Sequence, residues 1–443
     1  MTTVDPMVAG IRDDLAVALD RADLTLTSAV RLTAGASRLT WMLETTSGAG
    51  EPEHFVLQRE RVRGAALGRT GNEAALLRAA GAAGVPVPDV VAVDPVGASV
   101  DGGYVVTRRV EGETIARRIL RDDAYASARD GLAAQAGRIL AAIHRIPTAG
   151  LPLTEAADPL ALVEVMLDEA YDARPALELG LRWLRDHQPE PGPTTLVHGD
   201  FRLGNLIVGP EGIRAVLDWE LAHVGDPMED LGWIASPAWR FRGSQPVAGV
   251  GSREQMWAAY EEAGGQPVDP EAARWWEICS TVRWGAMCLR QAHTHLSGAS
   301  PAVELALIGR RAAQCEHDLF AAVFPGAVPA AADPVAPPDL YGRPTAAELV
   351  EAVREQLQAA GGGDFRVRVV ANALQLVERE LAAGREPELA HRERLRSLGF
   401  ADDRALASAV RSGEVGLTDD VLAAVRADVA QRLAVYDPSY GQA

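Results

Sequence analysis

Residues 196–231, LVHGDFRLGNLIVGPEGIRAVLDWELAHVGDPMEDL, restrict this chain more than any other stretch. They set His198, Asp200, Asn205, Asp218, Glu220, Asp226 and Asp230 among positions that are mostly apolar or glycine. Carboxylates in sequence of buried character must be hydrogen-bonded, paired or held by a cation, because an isolated buried charge is too costly. Residues 206–208 and 213–217 are short β-prone runs separated by Gly-Pro-Glu-Gly, a loop that closes a hairpin. Pairing Val208 with Ile213 puts Asn205 opposite Val216, with Asp218 one diagonal step away, about 7 Å by backbone. An amide oxygen and a carboxylate then converge at one end of the hairpin.

Converging hard oxygens suit Mg²⁺, which takes one or two protein ligands and completes its octahedron with water and phosphate. Asp200 and Asn205 have the spacing D-x-x-x-x-N, in which a kinase catalytic loop places a hydroxyl-accepting Asp and a metal-holding Asn. Together, H-G-D-x-x-x-x-N at 198–205, D-W-E at 218–220 and G-D-P-x-x-D-L at 225–231 resemble the catalytic segment of the aminoglycoside phosphotransferase-like and choline kinase-like small-molecule kinases. The likeness is nearest to the branch that includes the kinase-like part of certain acyl-CoA dehydrogenase fusion proteins. The resemblance implies an α+β, bilobal protein kinase-like fold, with an antiparallel β amino-terminal lobe and a mainly helical carboxy-terminal lobe. It also implies ATP and Mg²⁺ as cofactors, Asp200 as catalytic residue, and Asn205 and Asp218 as metal ligands.

The remaining polar residues of the segment have plainer readings. Gly225-Asp226-Pro227 is a turn and cap signal, so Asp226 and Asp230 are expected to hold loop backbone and cap the following helix. His198 is expected to brace the catalytic loop by hydrogen bonds. Glu220 shares the side of Asp218 in an extended segment and is a candidate for a second metal or supporting contact.

The chain has 443 residues, a net charge of −18 and a pI near 5.0. That balance opposes binding to nucleic acid or anionic membranes, which need a positive footprint. All 43 basic residues are arginine, which excludes lysine Schiff-base chemistry and suggests a drift of composition across the whole chain. Three scattered cysteines form no disulfide framework. Cys288, His293, His295, Cys315 and His317 lack the spacing of a zinc site. The opening MTTVDPMVAGIRDD has no apolar signal core, and no apolar run approaches about 18 residues, so a cytoplasmic protein is expected.

Before the catalytic segment, residues 11–21 read as an amphipathic helix, and 28–33, 39–45, 54–59, 90–93 and 104–110 as five strands. In the resembled family the turn at 34–38 covers the nucleotide phosphates, so Gly35 and Ser37 are candidate cofactor contacts. The third strand should carry a phosphate-contacting Lys. Here it offers Arg59, or Gln58 with the register shifted by one, and Glu73 of the helix at 72–80 is placed to pair with that Arg. Arg109 and Val110 lie in the expected hinge, where backbone groups would meet the adenine. Helices are expected at 127–146 and 160–184.

Beyond residue 231 the chain is helical and holds Trp233, Trp239, Trp257, Trp275, Trp276 and Trp284, at least half of them expected in the core. The resemblance assigns the acceptor site to this region. Residues 327–338 form a Pro/Ala linker, and five amphipathic helices over 346–434 follow without a catalytic constellation. The expected domains are a nucleotide-binding lobe (1–109), a catalytic and acceptor lobe (110–326), the linker (327–338) and a helical domain (339–443), a candidate homodimerisation module.

The expected activity is transfer of the γ-phosphate of MgATP to a small-molecule hydroxyl. The resemblance points to a hydroxyacyl-CoA, for which Arg240, Arg242, Arg283 and Arg290 are candidate contacts. Two alternatives stand beside it: an antibiotic phosphotransferase of the aminoglycoside type, and a non-catalytic nucleotide-binding scaffold. A protein kinase is disfavoured, because no A-P-E segment follows Asp218.

Overall fold

The structure is a computed structural model. It describes the chain apart from residues 1–7, 9, 33–37, 49, 61–68, 97–101, 156–157, 328, 330–345, 362–363 and 442–443. Gly35, Ser37 and most of the expected linker at 327–338 lie outside the described residues.

In chain order, helix α1 (Ile11–Ala18) precedes strands β1 (Thr25–Leu32), β2 (Arg38–Thr46) and β3 (Glu53–Glu60), helix α2 (Arg69–Ala82), and strands β4 (Val90–Asp94) and β5 (Tyr104–Arg108). Helices α3 (Ala116–Arg121) and α4 (Ala126–His144) and strand β6 (Thr154–Glu155) follow, then helices α5 (Pro159–Glu169) and α6 (Pro175–Asp186). The carboxylate-rich segment supplies β7 (Thr195–Val197), β8 (Leu206–Gly209), β9 (Gly212–Val216), β10 (His223–Gly225) and α7 (Met228–Ala235). Helices α8 (Arg253–Glu262), α9 (Pro270–Leu296), α10 (Val303–Arg310) and α11 (Ala312–Val323) come next. The chain closes with α12 (Ala346–Gly361), α13 (Phe365–Ala383), α14 (Glu386–Ser397), α15 (Asp403–Ser412) and α16 (Asp419–Tyr436).

These elements form two compact units, Met1–Ala156 with Glu190–Ala273, and Ala157–Pro189 with Arg274–Ala443. In the first, five strands make an antiparallel sheet in the order β1-β2-β3-β5-β4. Alternate residues of a strand face opposite sides of its sheet. One face carries Trp41, Leu43, Phe55, Leu57, Tyr104 and Val106, buried with Ile11 and Leu15 of α1. The other face carries Arg38, Thr40 and Met42 of β2, paired with Glu60, Gln58 and Val56 of β3.

The hairpin β8–β9 forms where the β-prone runs place it, with Val208 opposite Ile213. Its register then slips: Ile207 pairs with Ala215, which leaves Arg214 as an extra residue on β9. Asn205 therefore lies against Leu217, whose N–H it accepts at 2.8 Å, and not opposite Val216 as strict alternation would have it. The bulge lets Arg214 donate to the Glu111 carbonyl at 2.8 Å while it also pairs with Glu211. Gln135 of α4 clamps the same strand, donating to the Ile213 carbonyl at 3.0 Å and accepting its N–H at 2.8 Å. At the base of the sheet, Glu113 and Val208 exchange backbone hydrogen bonds. The neighbouring Gly112 has φ +154°, and a Cβ there would sit 2.5 Å from Ile207 Cγ2, so only glycine fits.

A single helix over 160–184 does not form: α5 ends at Glu169, and Pro175 starts α6 because proline suits a first helical turn and forces its predecessor out of the helical region. Ala176 and Leu179 of α6 share one core with Phe320, Leu395, Leu406, Val410, Val421, Val425 and Val429. Arg411 of α15 reinforces it with a forked contact to Glu178, which is buried. Five of the six tryptophans between 233 and 284 are buried; Trp257 is the exception. No helix among the described residues is long and apolar enough to cross a membrane.

Candidate active site

The site lies wholly within the first unit, and its rigidity starts at Asp230. That carboxylate is fully buried and accepts the N–H groups of His198 at 2.8 Å and Gly199 at 2.9 Å. It also lies 3.1 Å from Nε2 of His144, whose Nδ1 is 2.9 Å from the Tyr260 hydroxyl. Burial acts to raise the Asp230 pKa, but the His144 contact and the donated N–H groups outweigh it and hold it low. His144, at the end of α4, is thus part of this brace. Gly199 turns the chain at φ +79°, with its backbone so close to the Leu221 carbonyl that a Cβ would lie 2.6 Å from it.

His198 is fully buried, and its two ring nitrogens have assigned work. Nδ1 accepts the Asp200 N–H at 3.2 Å, which leaves Nε2 to donate to the Leu217 carbonyl at 3.1 Å. Burial depresses its pKa, so the ring is neutral and links the catalytic loop to the end of the hairpin. It is a strut and has no free nitrogen for a proton transfer.

Asp200 is held at both oxygens. Oδ1 accepts from Trp233 Nε1 at 2.8 Å and from Arg202 Nε at 2.9 Å, and Oδ2 accepts from Asn205 Nδ2 at 2.6 Å. Asn205 Nδ2 also donates to the Asp200 carbonyl at 3.0 Å, so its amide oxygen is the atom left for a cation. Neither Arg202 nor Trp233 was singled out by motif and spacing. Arg202 also stacks over Trp239, at 4.5 Å from the ring centroid, and Trp239 packs against Trp233. Together they form a cationic and aromatic wall around Asp200.

Asp218 follows β9 in the left-handed region, φ +66° and ψ +63°, uncommon for a residue other than glycine. Its half-buried carboxylate feels the charges of Asp200 and Glu220. Burial first, then the negative charges of Glu220 and Asp200, push its pKa up to about 6. Such carboxylates repel one another and are short of positive charge, a deficit that a divalent cation would relieve. The donor set of Asn205 oxygen and Asp218 carboxylate, with Glu220 beside it, therefore fits Mg²⁺. Asp226 stands apart from this cluster: its Oδ1 accepts the Met228 N–H at 2.8 Å at the start of α7.

The ion pair expected between Arg59 and Glu73 does not form. Arg59 has the parity of Leu57 and Phe55, pairs across the sheet with Tyr104, and is buried on the α1 face with its Nε unpartnered. Glu73, also buried, is bound by Arg38 of β2, whose Nη2 lies 3.5 Å from Glu220. Arg38 thus links the sheet, α2 and the turn after Asp218. Strand parity marks it, since Arg38 and Gln58 share the face opposite the core cluster. Arg109 is exposed, pairs with Glu111 and donates its N–H to the His54 carbonyl, while Val110 is half-buried.

Parts of the chain are similar to known proteins. Residues 345–440 fit a domain of unknown function, DUF6285. Acyl-CoA dehydrogenase family member 10 of Mus musculus is 54% identical over 61 residues, covering 13% of this chain and 6% of its own. Family member 11 of Gallus gallus is 30% identical over 164 residues, covering 35% of this chain and 21% of its own. The chain thus spans about a fifth or less of these curated relatives. Among solved structures, an assigned aminoglycoside phosphotransferase from Ralstonia eutropha has a TM-score of 0.54 at 20% identity, covering 67% of this chain and 92% of that one. A spectinomycin phosphotransferase in complex with ADP and spectinomycin has a TM-score of 0.51 at 13% identity, covering 70% and 97%. These likenesses show a shared kinase-like fold. Residues 28–276 match the model of the phosphotransferase enzyme family (APH), more than half of the chain, and the chain belongs to that family.

Proposed function

We propose that this chain transfers the terminal phosphoryl group of ATP to a hydroxyl of a small molecule. The observation that supports it most is the joint placement of Asp200, Asn205 and Asp218. One carboxylate is oriented by three donors, Asn205 spends its amide nitrogen on that same residue, and the pKa of Asp218 is raised by the charges of Glu220 and Asp200. Mg²⁺, when bound, would neutralise charge on the phosphate oxygens. Asn205 and Asp218 would hold it, with Glu220 within reach of the same cluster.

Arg38 is suited to the phosphates because it is already oriented by Glu73 and one guanidinium nitrogen is without a hydrogen bond. Asp200 would orient the acceptor hydroxyl and take its proton as the oxygen attacks. Because Asp200 Oδ1 is engaged by Arg202 and Trp233, the Oδ2 edge shared with Asn205 is the one available to that hydroxyl. Backbone groups at Arg109 and Val110 remain the reading for the adenine.

The acceptor we favour is a hydroxyacyl-CoA. Its support is the named relatives, both acyl-CoA dehydrogenase family members that this chain matches over a small part of their length. A second reading, an aminoglycoside-type acceptor, is favoured by the fold shared with a spectinomycin phosphotransferase. Transfer of labelled phosphate from ATP to hydroxyacyl-CoAs, aminoglycosides, choline and sugars tests both. Product that needs Mg²⁺ and disappears in Asp200→Asn supports the reaction and names the acceptor class. Product retained in Asp200→Asn would overturn the assignment of Asp200.

A further inference from the structure

The second unit contains a polar cleft of about 700 Å³, well within the size range of small-molecule sites. One wall comes from residues 171–174, between α5 and α6. The other comes from α14, the start of α15 and Arg432 of α16, all in the domain of unknown function. Six cationic side chains line it, Arg174, Arg310, His391, Arg392, Arg404 and Arg432, against the four carboxylates of Asp172, Glu388, Asp402 and Asp403. The buried carboxylates of Glu316 and Asp428, just behind the lining, balance the remaining charge.

The buried end of the cleft is short of hydrogen bonds. Arg174 is only 9% exposed, yet its guanidinium makes no hydrogen bond and its nearest carboxylate oxygens, on Glu316 and Asp172, are 3.5 and 3.6 Å away. Glu316 is fully buried with neither oxygen hydrogen-bonded, and Arg432 Nη1 stands 3.7 Å from it without a hydrogen bond. A structural ion-pair network closes at roughly 2.7–2.9 Å. Arg174 is buried and Arg432 half-buried, both are incompletely satisfied, and both line the cleft.

His391, Asp403 and Asp428 at the cleft floor lie close enough together to suggest a metal, but their hydrogen bonds oppose one. Nδ1 of His391 is 3.0 Å from Asp428 and Nε2 is 3.3 Å from Asp403, so both ring nitrogens face acceptors and carry protons. Arg394 already engages Asp428, and Arg432 engages Asp403 at 3.1 Å. A doubly protonated imidazole cannot ligate a metal. It adds one more fixed positive charge.

We propose that this cleft binds a small polyanion bearing phosphate or carboxylate groups, with Arg174, Arg404 and Arg432 as principal contacts. Arginine forks fit both kinds of oxyanion, and the volume exceeds what one phosphate ion fills. This gives the carboxy-terminal helices a ligand of their own, independent of the phosphotransfer reading.

The test is calorimetric titration of the full chain, without Mg²⁺ or nucleotide, with inorganic pyrophosphate and separately with citrate. One-to-one binding of either with Kd below about 1 mM is expected. It should weaken about tenfold or more in Arg404→Gln, an exposed position, and in the double variant Arg174→Gln with Glu316→Gln, which removes one charge of each sign and leaves Arg432 its contact with Asp403. Binding should persist in Asp218→Asn, whose change lies in the first unit. Preference for one anion would narrow the chemistry to phosphate or carboxylate. No binding of either to the folded wild type, or undiminished binding in both arginine variants, would overturn the proposal.

Discussion

Replacing Asp218 by Asn should stabilise the protein while removing its proposed metal ligand. The carboxylate is half-buried, and burial with the charges of Glu220 and Asp200 moves its pKa from an ordinary 3.8 to about 6. A carboxyl group whose folded-state pKa lies above its unfolded value binds its proton more tightly when folded. Stability therefore falls as pH rises from about 4 to about 6, and stays at the lower level above that. At about 1.4 kcal/mol per pKa unit the gap is worth about 3 kcal/mol, and partial exposure reduces it to about 1–3 kcal/mol. Asn has nearly the same shape, tolerates the left-handed backbone and cannot ionise.

In thermal denaturation without divalent ions at pH 7.5, Asp218→Asn should melt about 2–12 °C above the wild type, using the usual 2–4 °C per kcal/mol for a unit of this size. Repeating the melts at pH 5 and pH 4 should shrink that advantage toward zero. Adding Mg²⁺ at pH 7.5 should raise the wild-type midpoint and leave the variant unmoved, because ligands stabilise only the state that binds them. A variant less stable than the wild type at pH 7.5, or an advantage that persists unchanged at pH 4, would refute the electrostatic account.

Three further outcomes are expected. Asp200→Asn should lower kcat by about 10²–10⁴ while nucleotide affinity stays within about twofold, read by steady-state kinetics and a nucleotide titration. Arg38→Met strands the buried Glu73, so urea denaturation should show a loss of about 3 kcal/mol and ATP should bind more weakly; Arg59→Met should leave ATP affinity unchanged. Asp230→Asn weakens the acceptor for His198, Gly199 and His144 and should cost about 2–4 kcal/mol by the same denaturation, with the difference narrowing in acid as the low-pKa carboxylate of the wild type is itself protonated.

Much of this was legible in the sequence because local rules govern it. Period-two apolar runs place the strands of the amino-terminal sheet, and a Gly-Pro-Glu-Gly loop pins Val208 against Ile213. The spacing of Asp200 and Asn205 marks them as candidates for the catalytic and metal-holding roles proposed above. Tertiary structure decided what lies beyond that local range. The bulge at Arg214 accompanies a contact of its side chain with Glu111, far away in sequence, and it moves Asn205 from Val216 to Leu217. The partner of Glu73 is Arg38, since strand parity turns Arg59 to the other face, a fact visible only once the pairing of β2 with β3 is known. Trp233 and Arg202 meet Asp200 through packing that no linear motif encodes. The cationic cleft likewise joins residues 171–174 to residues 388–432, whose shared apolar core brings together charges remote in sequence. Sequence determined the candidate reacting groups through short-range spacing; the fold determined which long side chains hold them, because those contacts depend on elements that meet only after folding.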